Sequence, residues 1–404
     1  MTYRFSSNGR KVSLLGYGAM RLPMKEGASA SVDQELLNLQ VKLMLDSGVN
    51  YFDTAPVYCQ GASEAAMGQA LVASGYSRGE YVLATKLSNF APEQYPIEKC
   101  REMFEHSLAC LKTSYIDNYL IHAIGNGGFE TFSKRYLKNG ALDWCVELRE
   151  ARRIHNLGFS FHGDARAFDW CLAHHDKYKW DFCQIQMNYL DWRHAERFKG
   201  RNLNAENLYR RLTDLGIPVV VMEPLLGGTL ARFNTALKHE LSALDPNASL
   251  ARWALRFCGT FPNVLTVLSG MTRTEHIEEN LDIFSPLKPC STAELAALER
   301  AAIAYLNCGM VGCTNCSYCM PCPYGLDIPS LLAFRNACLT KDTGMKPREI
   351  LAEYARRIPE PLRRAEHCTG CGRCRPHCPQ QINIPDEIAA IDAAIDVLKG
   401  DALK

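Results

Sequence analysis

The sequence predicts an α/β protein, in which a closed (β/α)8 barrel of the TIM type is followed by a smaller α-helical domain. Two observations support this. Eight apolar, β-branched-rich runs alternate with amphipathic stretches along most of the chain, and eight cysteines form two compact groups near its end. Strands alternating with helices form parallel sheets, and eight repeats is the number that closes a barrel. We expect the barrel at residues 1–288 and the second domain at 289–404.

The first elements are a small hairpin and eight barrel strands. Asn8-Gly9 predicts the hairpin, because this pair tolerates the positive φ angles of a tight two-residue turn. The eight runs that follow are KVSLLGYG, VNYFDTA, YVLATKL, DNYLIHA, NLGFSFH, FCQIQMN, PVVVMEP and VLTVLSG. Between them, stretches such as QELLNLQVKLMLDSG carry apolar residues at helical spacing. An open sheet with miscounted strands is the alternative, and the eight repeats disfavour it.

The strand pattern stops around Pro286 and Pro289, which marks the predicted domain boundary. The stretches STAELAALERAAIAYL, SLLAFRNACL and PREILAEYARRI that follow are predicted helices. A last helix is indicated by the apolar stripe of Ile388, Ile391, Ile395 and Leu398. The second domain is therefore expected to be mostly α-helical.

Charge and composition point to small-molecule chemistry. Lys and Arg number 45 against 44 Asp and Glu, for a formal net charge of +1, which gives no overall field for nucleic acid or an acidic membrane. The first residues are polar, and no run reaches the roughly 18 apolar residues that span a bilayer. We expect a cytoplasmic protein with neither nucleic-acid nor membrane partners.

Four polar residues end consecutive strands or follow them: Asp53, Tyr58, Lys86 and His122. The C-terminal strand ends carry the active site of a (β/α)8 barrel, so these side chains are expected to converge. Tyrosine, with an ordinary pKa of about 10, is an acid that stays neutral until used. A neighbouring Lys86 would lower that pKa, Asp53 would hold the lysine charged, and His122 could orient a carbonyl oxygen.

Each of these residues also has a structural interpretation. Asp53 could cap a helix, Lys86 could pair with any carboxylate, and His122 could be a hydrogen-bonded core histidine. For each residue considered alone, the structural interpretation is preferable. Their joint placement in NYFDTAPVY, ATKLS and YLIHA favours catalysis.

These motifs make the first 285 or so residues resemble the aldo-keto reductase family. GVNYFDTAPVYCQGASEAAMGQAL resembles the family segment with its Asp and Tyr, ATK the one with its Lys, and YLIH the one with its His. The resemblance implies NAD(P)H-linked reduction of an aldehyde or ketone, or the reverse oxidation of an alcohol. Tyr58 would then be the general acid and base.

The resemblance also implies nucleotide contacts. Ser160 and Gln184 match residues that bind the nicotinamide carboxamide, and Asn280 matches one that binds adenine. Met222 stands where the family often stacks a Tyr, and Gly270, Met271 and His276 stand where many relatives bind the NADP 2′-phosphate. Arg273 could substitute, so NADP and NAD both stay open, with a preference for NADP. The full set of predicted cofactor contacts is Ser160, Gln184, Met222, Ser269, Arg273, Glu279 and Asn280.

The two cysteine groups predict two 4Fe-4S clusters. The first is CTNCSYCMPCP, with Cys313, Cys316, Cys319 and Cys322, and the second is CTGCGRCRPHCP, with Cys368, Cys371, Cys374 and Cys378. The second has the C-x2-C-x2-C-x3-C-P spacing in which three thiolates hold one cluster and the fourth reaches the partner cluster. We therefore predict crossed ligand sets, with Cys378 joining the first three cysteines and Cys322 joining Cys368, Cys371 and Cys374.

The first group departs from that spacing, with two residues before its last cysteine. Paired C-x2-C units also bind zinc, which is the alternative. Four cysteines in one run before a proline, occurring twice, favour iron and sulfur. With 45 residues between the groups, the module resembles an α-helical ferredoxin.

Three functional hypotheses follow. In the first, the barrel is a carbonyl reductase and the clusters serve structure or redox sensing. In the second, the clusters exchange electrons with a ferredoxin-like or flavin carrier. In the third, the chain is an electron-transfer or sensing protein whose barrel is not an active reductase. A nicotinamide hydride carries an electron pair and needs no cluster relay, which favours the first. The complete set of four residues argues against the third.

Overall fold

A computed structural model describes residues 1–25, 31–198, 203–231, 235–340 and 343–402. The chain divides into two compact units. The first contains Met1–Ala195, Asn202–Pro224 and Ala254–Ser291, and the second contains Glu196–Arg201, Leu225–Trp253 and Thr292–Lys404. The last junction, at 291–292, lies close to the expected boundary at 288. Residues 225–253, which we expected in the barrel domain, group with the C-terminal unit instead.

The first unit is built on a closed, all-parallel barrel of eight strands, in the order β10-β3-β4-β5-β6-β7-β8-β9. All eight predicted runs supply one strand each, which confirms the predicted fold class. The strands are β1 (Tyr3–Phe5), β2 (Lys11–Ser13), β3 (Leu15–Gly18), β4 (Tyr51–Asp53), β5 (Val82–Leu87), β6 (Ile116–Ile124), β7 (Ile154–Phe161), β8 (Phe182–Gln186), β9 (Val219–Met222) and β10 (Val264–Ser269).

The N-terminal hairpin of β1 and β2 is confirmed, but its turn is not the predicted two-residue type. Phe5 pairs with Lys11, so five residues form the loop. Of its residues, only Gly9 has a positive φ, of 79°. The wider loop is stabilised locally, because the backbone N–H of Arg10 donates to the side-chain oxygens of Ser6 and Asn8.

Helices separate the barrel strands and make up the described secondary structure of the C-terminal cysteine region. The predicted helical stretches are confirmed. The α-helices are α1 (Gln34–Asp46), α2 (Ser63–Ala73), α3 (Ile97–Cys110), α4 (Phe129–Phe132), α5 (Ala141–Glu150), α6 (Ala165–Ala173), α7 (His175–Tyr178), α8 (Asp191–His194), α9 (Ala205–Asp214), α10 (Thr235–Ser242), α11 (Leu250–Thr260), α12 (Thr274–Phe284), α13 (Thr292–Asn307), α14 (Ile328–Cys338), α15 (Pro347–Arg357) and α16 (Ile384–Ala402). In the described part of the chain, no helix is long and apolar enough to cross a membrane.

The barrel interior is filled by side chains from successive strands. Tyr51, Val82, Leu120, Phe182 and Val220 belong to one buried cluster, which consists of strand residues pointing to the barrel axis. Such a packed interior leaves the chemistry to the strand ends.

The C-terminal unit has a separate apolar core. The apolar stripe of α16 supplies Ile388, Ile391 and Ile395 to it, all of them buried, as the sequence pattern predicts. Phe334 of α14 and Tyr354 of α15 pack together there, with ring centroids 4.8 Å apart. Several of the clustered cysteines pack against this core, so the helices form the support of the two cysteine loops.

Candidate active site and cysteine loops

Asp53 and Lys86 form a buried ion pair at neighbouring strand ends. Asp53 is the last residue of β4, Lys86 is next to last in β5, and their side chains are only 3% and 1% exposed. Lys86 Nζ lies 2.5 Å from Asp53 Oδ1 and donates a second hydrogen bond of 2.7 Å to the carbonyl of Thr54. Burial raises the pKa of Asp53 and lowers that of Lys86, and their pairing opposes both shifts. The pair therefore holds an ammonium group in a site that excludes water.

Tyr58 lies over this ammonium group. It opens the 3-10 turn Tyr58–Gly61, in which Cys59 and Gln60 both adopt left-handed backbone angles. Lys86 Nζ is 4.8 Å from the centre of the Tyr58 ring. The His122 ring meets Tyr58 edge to face, with centroids 5.9 Å apart. The structure thus brings all four predicted catalytic residues together.

A serine hydrogen-bonds to one ring nitrogen of His122. Ser88 Oγ lies 2.6 Å from Nδ1 of His122, and both groups are buried. Burial lowers the pKa of His122 well below its ordinary value, and the charges of Lys86 and Arg135 act in the same direction. His122 is therefore a neutral imidazole. If Ser88 donates to Nδ1, Nε2 carries the proton and is a hydrogen-bond donor.

Arg135 fixes the backbone at His122 by a hydrogen bond to its carbonyl oxygen. It is 1% exposed and lies in the π-helical turn Ser133–Leu137. Arg135 Nη2 donates to the carbonyl oxygen of His122 at 2.9 Å, and the Tyr136 hydroxyl donates to the same oxygen at 2.8 Å. Its guanidinium also stacks 4.5 Å from the centre of the Phe90 ring, which contacts His122.

His162 is a second histidine beside the predicted catalytic residues. It directly follows β7, and burial together with the charge of Lys86 lowers its pKa to about 4. It lines a small depression with Phe161, Gln186, Asp191 and Leu208. This partly apolar surface, which includes one carboxylate, is a candidate contact for a substrate side chain.

The residues expected at the nicotinamide carboxamide lie on adjacent strands. Ser160 of β7 pairs in register with Gln184 of β8, and both are buried. Gln184 hydrogen-bonds to Asp53, while its Oε1 has no partner among the described residues. Ser160 Oγ accepts a 2.8 Å bond from the Ala123 N–H, which leaves its proton to be donated. A carboxamide has an amide group that donates hydrogen bonds and a carbonyl oxygen that accepts them. It therefore complements the acceptor of Gln184 and the donor of Ser160. Met222 ends β9 and is half-buried.

The remaining nucleotide candidates lie where β10 leads into α12. Ser269 is the last residue of β10 and Arg273 is exposed just before α12 begins. The N-terminus of α12 follows directly, and such a terminus favours anions. Glu279 is half-buried, whereas Asn280 is buried and donates to Ser269 Oγ at 2.9 Å. In this structure Asn280 therefore positions the strand end.

The two cysteine loops have left-handed residues at the same two places between their first three cysteines. Asn315 and Ser317 in the first loop have positive φ angles, and so do Gly370 and Gly372 at the corresponding places of the second. The backbone N–H of Asn315 donates to Cys313 Sγ at 3.4 Å. Left-handed residues between successive cysteines turn the chain around a common centre, which is the arrangement that three thiolates on one cluster require.

The fourth cysteine of each loop lies next to the other loop. Burial and the neighbouring thiols of Cys316, Cys313 and Cys378 raise the pKa of Cys319 to about 12. Burial also raises the pKa of Cys374, and the thiols of Cys368, Cys371 and Cys322 act in the same direction.

A cavity of about 440 Å³ opens between the loops. Its cysteines are Cys319, Cys322, Cys368, Cys371 and Cys374. In the described ranges, no three Cys, His, Asp or Glu side chains converge closely enough to hold a single metal ion. The thiols around the cavity suit a group larger than one ion.

Fold and site together define a (β/α)8-barrel protein with a buried Asp, Lys, Tyr and His constellation, joined to a cysteine-rich helical domain. The model of the aldo/keto reductase family matches residues 14–303, and that of a 4Fe-4S dicluster domain matches residues 312–383. The chain belongs to the aldo/keto reductase family and carries a C-terminal 4Fe-4S dicluster domain.

Known relatives match the barrel part. L-galactose dehydrogenase of Arabidopsis thaliana is 30% identical, over 70% of this chain and 87% of its own length. The "Probable voltage-gated potassium channel subunit beta" of Oryza sativa subsp. japonica is 26% identical, over 70% of this chain and 91% of its own. The holo form of an aldo-keto reductase from Bacillus halodurans superimposes with a TM-score of 0.60 at 23% identity, covering 75% of this chain and 97% of that one. This last likeness shows the shared fold.

Ser88 and Arg135 were not among the site residues predicted from the sequence. Ser88 follows β5 immediately, in the motif ATKLS, so its position at a strand end was an available signal. Arg135 lies in the π-helical turn after α4, with no strand or sequence motif beside it. Its approach to His122 depends on tertiary structure alone.

Proposed function

We propose that the barrel is an NAD(P)H-dependent oxidoreductase that interconverts an aldehyde or ketone with an alcohol, with Tyr58 as general acid and base. The observation that carries this proposal is the buried contact of Tyr58 with both Lys86 and the neutral His122. NADP is the preferred nucleotide, with NAD as the alternative.

The four residues have distinct roles. Lys86, held by Asp53, lies against the Tyr58 ring and favours loss of the phenol proton to the substrate oxygen. His122, neutral and donating from Nε2, orients the carbonyl oxygen. The bound reduced nicotinamide would supply the hydride to the carbonyl carbon. In the reverse direction Tyr58 takes the proton back.

Residues of strands β7 to β10 would bind the nucleotide. The unpartnered Oε1 of Gln184 would accept from the carboxamide, and Ser160 would donate to it. Met222 and Ser269, at the ends of β9 and β10, would line the nucleotide, and Arg273, Glu279 and Asn280 belong to the proposed binding region at α12. His162 and its depression would contact the substrate.

The C-terminal domain would hold two 4Fe-4S clusters that exchange single electrons with an external carrier. Crossed ligand sets are supported by the neighbouring thiols around Cys319 and Cys374. One cluster would have Cys313, Cys316, Cys319 and Cys378 as ligands, and the other would have Cys322, Cys368, Cys371 and Cys374. The solvent-exposed thiol of Cys371 supports exchange with a partner rather than a purely structural role.

The test of the barrel's function is Tyr58→Phe, assayed anaerobically with NADPH and NADH against a panel of aldehydes, ketones and alcohols. The lost phenol proton should lower kcat by about 10²-fold or more, because general acid catalysis contributes that much. Nucleotide affinity should be unchanged. Tyr76→Phe, at an exposed hydroxyl bonded to Asp46, is the matched control. Equal activity of the two variants, or nucleotide binding without any turnover by the wild type, would favour the non-catalytic alternative.

A further inference from the structure

The two cysteine loops differ sharply in charge. Residues 311–326, which contain the first loop, include no Lys, Arg, His, Asp or Glu. Residues 360–378, which contain the second, include Arg363, Arg364, Arg373 and Arg375 against only two carboxylates. Cluster ligation by thiolates does not require this difference, because both loops present four cysteines and share positive φ angles at two corresponding positions.

The positive charge at the second loop is exposed and largely uncompensated. Arg373 and Arg375 flank Cys374, both are exposed, and neither joins an ion pair within the described residues. The two carboxylates of this segment leave these two arginines without a partner in the described part of the chain. Glu360 pairs with Arg363 at 2.8 Å and compensates that arginine instead. Glu366 lies near Asp392, whose pKa is raised by burial first and then by the charges of Asp396 and Glu366.

Apolar side chains lie beside these arginines. Leu362 is 72% exposed and Tyr324 is 47% exposed. The turn after Tyr324 adjoins Leu362, because a Cβ at Gly325 would lie 3.8 Å from the Leu362 carbonyl oxygen. Tyr324 and Arg373 also line the cavity that contains Cys371. We call Tyr324, Leu362, Arg373 and Arg375 the cationic rim.

One side of the first loop, at Cys313 and Thr314, is covered by its own unit. Gly227 packs so closely on Thr314 that a Cβ there would lie 2.0 Å from the Thr314 carbonyl oxygen. Thr229 Oγ1 donates to the carbonyl of the adjacent Cys313 at 3.4 Å, and Thr314 is buried. Only the second of the two loops therefore combines an exposed cysteine with a charged and apolar surface.

We propose that the cationic rim docks an acidic one-electron carrier protein, and that electrons enter and leave the domain through the cluster held by Cys322, Cys368, Cys371 and Cys374. This inference rests on the proposed function of the clusters. Charge complementarity speeds encounter, while the exposed Leu362 and Tyr324 supply the apolar contact that a docked complex desolvates. A bound, reduced cluster would supply one electron to the carrier, and a flavin carrier would also take up one proton from solvent.

The test uses the full chain with Arg373→Glu and Arg375→Glu combined, and Arg348→Glu as control. Arg348 is an exposed arginine in the first turn of α15 and does not line the cavity. Clusters are reduced by dithionite under anaerobic conditions, excess reductant is removed, and the protein is mixed with an acidic flavodoxin. The rate of flavin reduction is followed by its absorbance, and binding by calorimetry, both at low and high ionic strength.

The double variant should exchange electrons with flavodoxin at least about tenfold more slowly at low salt, and bind it more weakly. The difference should shrink at high salt, since exposed charges are screened. Arg348→Glu should resemble the wild type. A small neutral dye should distinguish the double variant from the wild type less than flavodoxin does, because a dye does not need the docking surface. Equal losses in the double variant and the control would overturn the rim as the docking site. Absent cluster signals after reduction, or clusters that no carrier or dye oxidises, would overturn the proposed function and this inference with it.

Discussion

At the scale of single residues, the site depends on groups kept in one protonation state by burial. His122 is neutral because burial, Lys86 and Arg135 all disfavour its protonated form. A neutral imidazole has one donor nitrogen, so the partner of the other nitrogen decides which it is. Ser88 is that partner, which makes it a positioning residue for His122.

Ser88→Ala tests this role. Without a donor to Nδ1, the imidazole should populate both tautomers, and kcat should fall by about tenfold, the effect of one lost hydrogen bond. The nitrogen chemical shifts of His122 should show the mixed tautomers directly. Ser74→Ala removes another buried hydroxyl, bonded to the Leu71 carbonyl, and serves as control. Unchanged His122 shifts in Ser88→Ala would rule out the tautomer role.

The pH dependence of the reaction follows from the same shifts. Because the pKa of His122 lies well below its ordinary value and that of His162 is about 4, both stay neutral through the physiological range. A histidine of ordinary pKa would lose its neutral form as pH falls through about 6.5. We therefore expect kcat for carbonyl reduction to show no loss between about pH 7 and pH 5.5, measured in constant-ionic-strength buffers. An acid limb near 6.5 would contradict the neutral-imidazole account.

At the scale of elements, close packing sets tight limits on particular positions. Gly68 lies in α2, where a Cβ would stand 2.2 Å from the carbonyl oxygen of Cys110, the last residue of α3. The glycine therefore lets the two helices approach. A helix interior would otherwise favour Ala over Gly by about 0.5–1 kcal/mol.

Gly68→Ala should accordingly lower the free energy of unfolding by about 1–3 kcal/mol, through overpacking against backbone that cannot move aside. Gly79→Ala is the control, because a Cβ at Gly79 meets no atom within 4 Å. Chemical denaturation of the two variants under identical anaerobic conditions gives the comparison. A Gly68→Ala protein as stable as the control would show that α2 and α3 are not in this contact.

The elements also show how far the sequence determines the fold. All eight barrel strands and the C-terminal helices follow from hydrophobic period, because each element buries one face or is buried altogether. The hairpin loop is longer than Asn8-Gly9 predicts, because side-chain bonds from Ser6 and Asn8 support a wider turn. The grouping of residues 225–253 with the C-terminal unit had no signal in local pattern. It results from long-range packing, such as that of Gly227 on Thr314.

The residues of the candidate site also divide into those that the sequence predicts and those that it does not. Asp53, Tyr58, Lys86 and His122 were predictable because consecutive parallel strands end at one mouth. Arg135 was not, since its contact with His122 arises where a π-helical turn folds back onto β6. Phe90, three residues after the end of β5, was not predicted either. The neighbours of Cys322 and Cys378 were predictable only from the ligand spacing of the second cysteine group.

At the scale of the whole molecule, we propose that the chain combines a two-electron site in one unit with a one-electron module in the other. Each unit has its own apolar core, and each is supported by its own helices. The proposed crossed arrangement would make each cluster depend on the loop of the other for one ligand.

The crossing is tested by Cys322→Ser and Cys378→Ser in the full chain, examined by EPR after reduction. Cys322→Ser should damage the cluster that has Cys368, Cys371 and Cys374, and Cys378→Ser the one that has Cys313, Cys316 and Cys319. Cys338→Ser, at a buried thiol outside both loops, is the control. If each loop variant instead lost the cluster of its own loop, the ligand sets would be uncrossed.

The measurement that tests the account most directly is iron, sulfide and zinc analysis of the anaerobically purified chain, with EPR spectra before and after NADPH or dithionite. The account predicts about eight irons and eight sulfides per chain and signals from two reduced clusters. Zinc in place of iron, with no sulfide, would contradict it, because the cysteine loops would then be structural zinc sites and no electron could pass through them.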